Sequence, residues 1–154
     1  MTECIGELYD LFSVQKFDGF GEIKYFIDPI SKDTFTCDVI TLGIGGETAA
    51  EEKMFTLYPQ CKFLGIDSGA KDSEMLYTTR INGKYIEGLV GAENGTYKAN
   101  VLESDVAHGY VEKILPHFSF HHLTSKIYKK DVIDLLLMDI EGDEFALMKE
   151  LIGI

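Results

Sequence analysis

VITLGI, residues 39–44, is a continuous β-rich apolar run with no regular polar alternation, the pattern of a strand covered on both faces. It passes through three glycines into residues 47–58. There Ala50, Met54 and Leu57 or Tyr58 recur at helical spacing, and Pro59 follows. CKFLGID (61–67) is a second apolar run, ending in an acid, and KDSEMLYTTR (71–80) is a weaker helix. KYIEGLVG (84–91) reads as one further strand; after a turn at AENG, TYKANVLE (96–103) reads as another. Residues 105–116 are ambiguous, with room for a short helix, and FSFHHLT (118–124) alternates like a strand. DLLLMDI, within 132–140, predicts the most strongly buried strand. DEFALMKELI (143–152) predicts a helix with Phe145, Leu147, Met148, Leu151 and Ile152 on its apolar side.

Ahead of residue 38 the pattern is less regular. It allows a short helix over 7–12, a glycine turn in FDGFG, a strand over 23–27 and a stop at Pro29. The expected organisation is an irregular N-terminal segment, 1–37, followed by one α/β domain over 38–154. Strands alternating with helices predict a mostly parallel sheet with helices on both faces. Ligands of such sheets sit beyond the carboxyl ends of the strands. The glycines after Leu42, the acid Asp67, Gly91 and the acids after Met138 all fall at those ends.

Length and charge narrow the partners. The chain has 154 residues, enough for one domain with a real core. Its net charge of −12 repels phosphate backbones and anionic membrane surfaces, so neither nucleic acid nor membrane is expected as a partner. No apolar run approaches the roughly 20 residues that cross a bilayer. The stretch MTECIGELYDLF lacks the basic start and long apolar core of a signal peptide. Cys4, Cys37 and Cys61 show no metal-ligand spacing and read as reduced thiols of a cytoplasmic protein. Asn94-Gly95-Thr96 reads as a turn rather than a glycan acceptor.

The glycine segment carries the first candidate chemistry. Gly43, Gly45 and Gly46 permit a tight turn and a close approach to a ligand, and the following helix points free N–H groups at the same place. The spacing Gly43-x-Gly45-x-x-Thr48 misses the dinucleotide fingerprint, and a ligand-free strand-to-helix turn has the same pattern. Asp67 ends the next strand, where a carboxylate can accept the hydroxyls of a ribose or cap the turn GIDSGAKD. Glu47 stands in the first helical turn, where a pyrophosphate would dock. A carboxylate there repels phosphates at short range, although acids also favour any helix start. Glu47 therefore discriminates between cofactors and is not itself a catalytic group. S-adenosylmethionine, with a ribose, no phosphate and two positive charges, suits such a site.

LLLMDIEGDE places Asp139, Glu141, Asp143 and Glu144 at the end of an apolar strand. Asp139 and Glu141 share a side in extended geometry. They could bind a cofactor ammonium, orient an acceptor hydroxyl or act as general base. Their ligand set is incomplete for a hard cation, and no metal is expected. Asp143 and Glu144 read as helix-start acids. His121 and His122, adjacent on the expected strand, would point to opposite faces; with His108 and His117 they read as surface or packing residues.

The order TLGIGGE, FLGID, LVGAENGT and LLLMDIEGDE resembles the FkbM-type methyltransferases, especially the animal branch common in nematodes. The hallmark is acid-x-Glu-Gly-x-Glu at the end of the fourth core strand, here Asp139 to Glu144, and the similarity runs from about Asp18 to the C-terminus. The resemblance implies a Rossmann-like class I methyltransferase sandwich using S-adenosyl-L-methionine. By position, Gly43 and Gly45 would line the methionine part, Asp67 the ribose, and Gly91 and Ala92 the adenine. Asp139 would lie near the transferred methyl with Glu141 beside it. The family implies an oxygen acceptor on a small molecule or glycan. The chain departs from the pattern in lacking the last strands of the usual seven, so DLLLMDI would be an open edge inviting association between copies. The alternatives are a non-catalytic binding or regulatory remnant of the same fold and an NAD-dependent oxidoreductase, which Glu47 and Thr48 disfavour.

Overall fold

The computed structural model describes residues 13–19, 23–29, 36–69, 72–102, 110–140 and 144–152. Val14–Asp18 (β1) and Ile23–Ile27 (β2) pair as an antiparallel hairpin, Val14 opposite Ile27 and Asp18 opposite Ile23. The strand expected over 23–27 is present and has β1 as its partner. Each strand sends one aromatic inward, Phe17 and Phe26, with ring centroids 4.6 Å apart. The helix expected over 7–12 lies outside the described residues.

The central sheet is built from Asp38–Leu42 (β3), Lys62–Asp67 (β4), Lys84–Glu87 (β5) and Leu135–Met138 (β9), in the order β5-β4-β3-β9, with every pair parallel. Between them come the helices Ala49–Leu57 (α1) and Ser73–Arg80 (α2). β3 is central, and Val39 to Leu42 are almost fully buried. Its period of two feeds two cores. Val39 joins Phe63, Tyr77, Met54 and the hairpin aromatics under α1 and α2. Ile40 and Leu42 join Ile66, Val90, Leu123 and Leu147 on the opposite face. An unbroken apolar run is what a strand between two cores requires.

A second sheet holds Leu89–Gly91 (β6), Gly95–Leu102 (β7) and Tyr110–Ser119 (β8), in the order β6-β8-β7. KYIEGLVG is therefore two strands in two sheets, separated at Gly88, whose N–H donates to the carbonyl of Asp67 at 2.8 Å. Where 105–116 was ambiguous, Tyr110 onward is strand; residues 103–109, with His108, lie outside the description. FSFHHLT is corrected: β8 stops at Ser119, and Phe120–His122 (α3) continues into a π-helix over Leu123–Tyr128. Ser119 caps this turn through its hydroxyl, which accepts from His122 N–H at 3.1 Å. That local hydrogen bond overrides the alternation. His121 and His122 are thus helical neighbours, and His122 stacks on Phe118. Asn94 is held as a turn residue, its Oδ1 accepting from Ser119 N–H at 2.9 Å.

β9 is half-buried at the sheet edge instead of being the most buried strand. The helix after it, Glu144–Ile152 (α4), buries only Leu147, and Phe145 is 81% exposed. Among the described residues no strand pairs with the outer edge of β9. Among the described residues no helix is long and apolar enough to cross a membrane.

The expectation of reduced thiols is overturned for Cys37 and Cys61, which form a disulfide with Cα atoms 4.5 Å apart. The cause is register: Asp38 pairs with Lys62, so the two cysteines that precede them meet at the amino ends of β3 and β4. Cys4 lies outside the described residues. Closing a segment of 24 residues restricts the unfolded chain by about 3 kcal/mol. Dithiothreitol should lower the melting temperature on the order of 10 °C, and the Cys37→Ser/Cys61→Ser variant should melt at the reduced protein's temperature whether or not reductant is present.

Candidate functional site

The chain leaves β3 between the ends of its two neighbours. Gly43 N–H donates to Ile66 carbonyl on β4, and Asp139 N–H donates to Leu42 carbonyl, both at 2.9 Å. Gly43 adopts φ +79°, and a Cβ there would lie 1.9 Å from the Asp139 carbonyl oxygen. This glycine is required by the approach of two backbones. Gly45 is different: it has φ +63°, is exposed, and a Cβ would meet nothing within 4 Å. Of the two candidates, Gly45 is the one that faces open space.

The bend between them is organised by Asp67, which is only 4% exposed. Its Oδ2 accepts from the N–H groups of Ile44 at 2.8 Å and Gly45 at 3.0 Å, and its Oδ1 accepts from Gly69 N–H at 3.0 Å. Asp67 therefore does cap the turn that follows β4, one of its two expected roles, and it also shapes the glycine bend on the neighbouring strand. Gly46 N–H is taken by Ser73 Oγ at 3.0 Å, which ties the bend to the start of α2.

Glu47 fills the place an incoming anion would need. Its Oε1 accepts from Ala49 N–H at 2.7 Å, at the start of α1. The helix N-terminus thus has a carboxylate of the chain itself as its partner, while Thr48 Oγ1 donates to Glu52 Oε1 at 2.8 Å. A pyrophosphate would have to displace that carboxylate and then sit beside its charge.

Beneath the bend lies a polar brace that sequence reading misses. Tyr77 OH donates to Thr41 Oγ1 at 3.0 Å, and Thr41 donates to Glu51 Oε1 at 3.3 Å, all three residues being buried. Lys24 of β2 reaches the same Oε1 at 3.1 Å, which fastens the hairpin to the core. Burial pushes the Tyr77 phenol well above its ordinary value, with the Thr41 hydrogen bond opposing and the Glu51 charge adding. The available signal was one acid, Glu51, beside Ala50 on the buried side of α1; its partners come from distant strands.

Asp139 is exposed at the carboxyl end of β9, and its backbone joins it to Leu42 and Gly43. Its expected companion Glu141 lies outside the described residues, as do Gly142 and Asp143. Glu144 opens α4, its Oε1 accepting from Ile140 N–H at 2.6 Å, as a helix-start acid should. Gly91 is buried at the end of β6, opposite Ser119, and Ala92 is exposed just beyond it. Gly91 belongs to the second sheet, and Ala92 follows its strand. The third core strand ends earlier, at Glu87, directly opposite Asp67.

The structure therefore brings Gly43, Gly45, Asp67 and Asp139 to one end of the central sheet and adds Glu87, which was not anticipated. No curated protein and no solved structure matches the chain. A family model, the methyltransferase FkbM domain, matches residues 4–153, spanning the hairpin, the central sheet and the strand-end residues alike. The chain belongs to the FkbM methyltransferase domain family.

Proposed function

We propose that this domain binds S-adenosyl-L-methionine over the glycine bend and transfers its methyl group to an oxygen of a small-molecule or glycan acceptor. The observation that carries the reading is the pairing of an open Gly45 with a helix start already occupied by Glu47. Together they favour a nucleoside cofactor without phosphate. Bound there, the cofactor supplies an electrophilic methyl on a sulfonium. Gly45 admits its methionine part, with Gly43 setting the bend. Asp67 and its neighbours receive the ribose, and Gly91 and Ala92 lie toward the adenine. Asp139, with Glu141 beside it in sequence, stands at the end of β9, where it would orient the acceptor hydroxyl and take its proton as the methyl passes from sulfur to that oxygen, the methyl–sulfur bond breaking to leave S-adenosylhomocysteine. The Cys37–Cys61 bond favours an oxidising compartment as the place of action and weighs against the cytoplasm.

Isothermal titration with S-adenosylhomocysteine tests the cofactor, and we expect saturable one-site binding. Titration with NADH should give no heat, and tight NADH binding would overturn the cofactor assignment. Binding of S-adenosylhomocysteine without methyl transfer to any of a panel of hydroxylated acceptors would favour a binding role for the same fold.

A further inference from the structure

Asp67 cannot receive a ribose alone. A carboxylate offers about four lone-pair sites, and three are already taken by the N–H groups of Ile44, Gly45 and Gly69. At most one remains, whereas a ribose presents two hydroxyl donors. A second acceptor is needed at the same end of the sheet.

Glu87 has the position for it. It is the last residue of β5 and pairs in register with Asp67, so the two side chains leave the same face of neighbouring strands. Its carboxylate lies over Gly69, where a Cβ would come within 2.8 Å of Oε1 and 2.9 Å of Cδ. Gly69 is the residue whose N–H occupies Asp67 Oδ1, so one glycine is flanked by both acids. Unlike Asp67, Glu87 is exposed, and its carboxylate is open to a ligand. Tyr85, two residues earlier on the same side, is pushed above the ordinary phenol range by burial first, then by the charges of Asp67, Glu87 and Glu74, with the Gly69 backbone opposing. That phenol stays a neutral donor at working pH and does not neutralise the pair.

We propose that Glu87 is a specificity-determining residue of the cofactor site: Asp67 shapes the glycine bend and accepts at most one ribose hydroxyl, and Glu87 accepts the other. This rests on the cofactor reading above and adds to it a residue in the adjacent strand.

The test is a displacement titration. Adenosine and 2′,3′-dideoxyadenosine compete against bound S-adenosylhomocysteine on the wild type, Glu87→Ala and Glu87→Gln. For the wild type, adenosine should be preferred by about tenfold or more, as charge-assisted hydrogen bonds predict. Glu87→Ala should weaken S-adenosylhomocysteine by about tenfold and reduce the preference between the two probes to the share carried by Asp67. Glu87→Gln, which keeps a neutral acceptor, should fall between. The melting temperature should not move, because the side chain is exposed. An unchanged preference in Glu87→Ala would overturn the proposal and leave the cofactor reading standing. So would an equal loss for both probes accompanied by a lowered melting temperature, which would mark a structural role. Failure of the wild type to bind S-adenosylhomocysteine would overturn both.

Discussion

Gly43→Ala is expected to disrupt the central sheet's carboxyl end, while Gly45→Ala leaves the fold in place and obstructs the proposed cofactor position. At Gly43 two penalties combine. The backbone is left-handed at φ +79°, which costs an L-residue about 1–2 kcal/mol. The new methyl would also collide with the Asp139 carbonyl oxygen, a backbone atom that no side-chain rotation can move away. Overpacking of this kind adds about 1–3 kcal/mol. Relief requires β9 to move away from β3, breaking the hydrogen bond from Asp139 N–H to Leu42 and displacing the acid proposed as the base. At Gly45 the strain is similar, φ +63°, but the methyl meets nothing. The expected result is a melting temperature lowered on the order of 10 °C for Gly43→Ala and by only a few degrees for Gly45→Ala. In titration, Gly45→Ala should nonetheless lose S-adenosylhomocysteine affinity by about tenfold or more, since its methyl projects into the proposed cleft. Equal behaviour of the two variants in both measurements would show that the bend does not divide into a structural and a ligand-facing glycine.

Asp67→Ala is expected to lose stability and binding together. It leaves three N–H donors without their acceptor, and the hydrogen bond to Ile44 is buried, so water cannot readily take its place. A stranded buried donor costs about 1–3 kcal/mol; the partly buried Gly45 and Gly69 groups add less because they can rehydrate. Chemical denaturation should therefore report a loss of about 2–4 kcal/mol. S-adenosylhomocysteine binding should fall below detection, because the glycine bend relaxes as well as losing a ribose acceptor. Glu87→Ala should separate the two effects by weakening binding at unchanged stability. Full stability in Asp67→Ala would mean that the bend holds itself, and that the three hydrogen bonds follow from its shape without setting it.

Much of the site was legible because its signals are local. Glycines after an apolar run need only their neighbours to announce a turn, and Glu47 needs only its place near a helix start to be read as an acid that interacts with that start, which its hydrogen bond from Ala49 N–H shows. Asp67 was recognised as important, yet both its expected uses were framed within its own loop or a ligand. Its main partners are Ile44 and Gly45, 23 and 22 residues away, and only parallel pairing of β3 with β4 brings them together. Glu87 was hidden in KYIEGLVG, which reads as one strand; a strand that changes sheets at Gly88 has the same composition as one that does not. The helix after Ser119 was misread because a cap at Ser119 and alternating apolar residues compete, and alternation alone does not show which interaction wins.

The sequence by itself determined the parallel α/β class, the glycine bend, the acid at the helix start and the likeness to the FkbM family. Each is a property of short segments, in which hydrophobic period, turn chemistry and charge act between near neighbours. The tertiary structure alone decided that Cys37 meets Cys61, that Gly43 is pressed against the Asp139 carbonyl, that Asp67 is largely consumed by the bend, and that Glu87 stands beside it. These depend on strand order and register, which are set by how separate apolar faces share two cores, and no single segment carries that information.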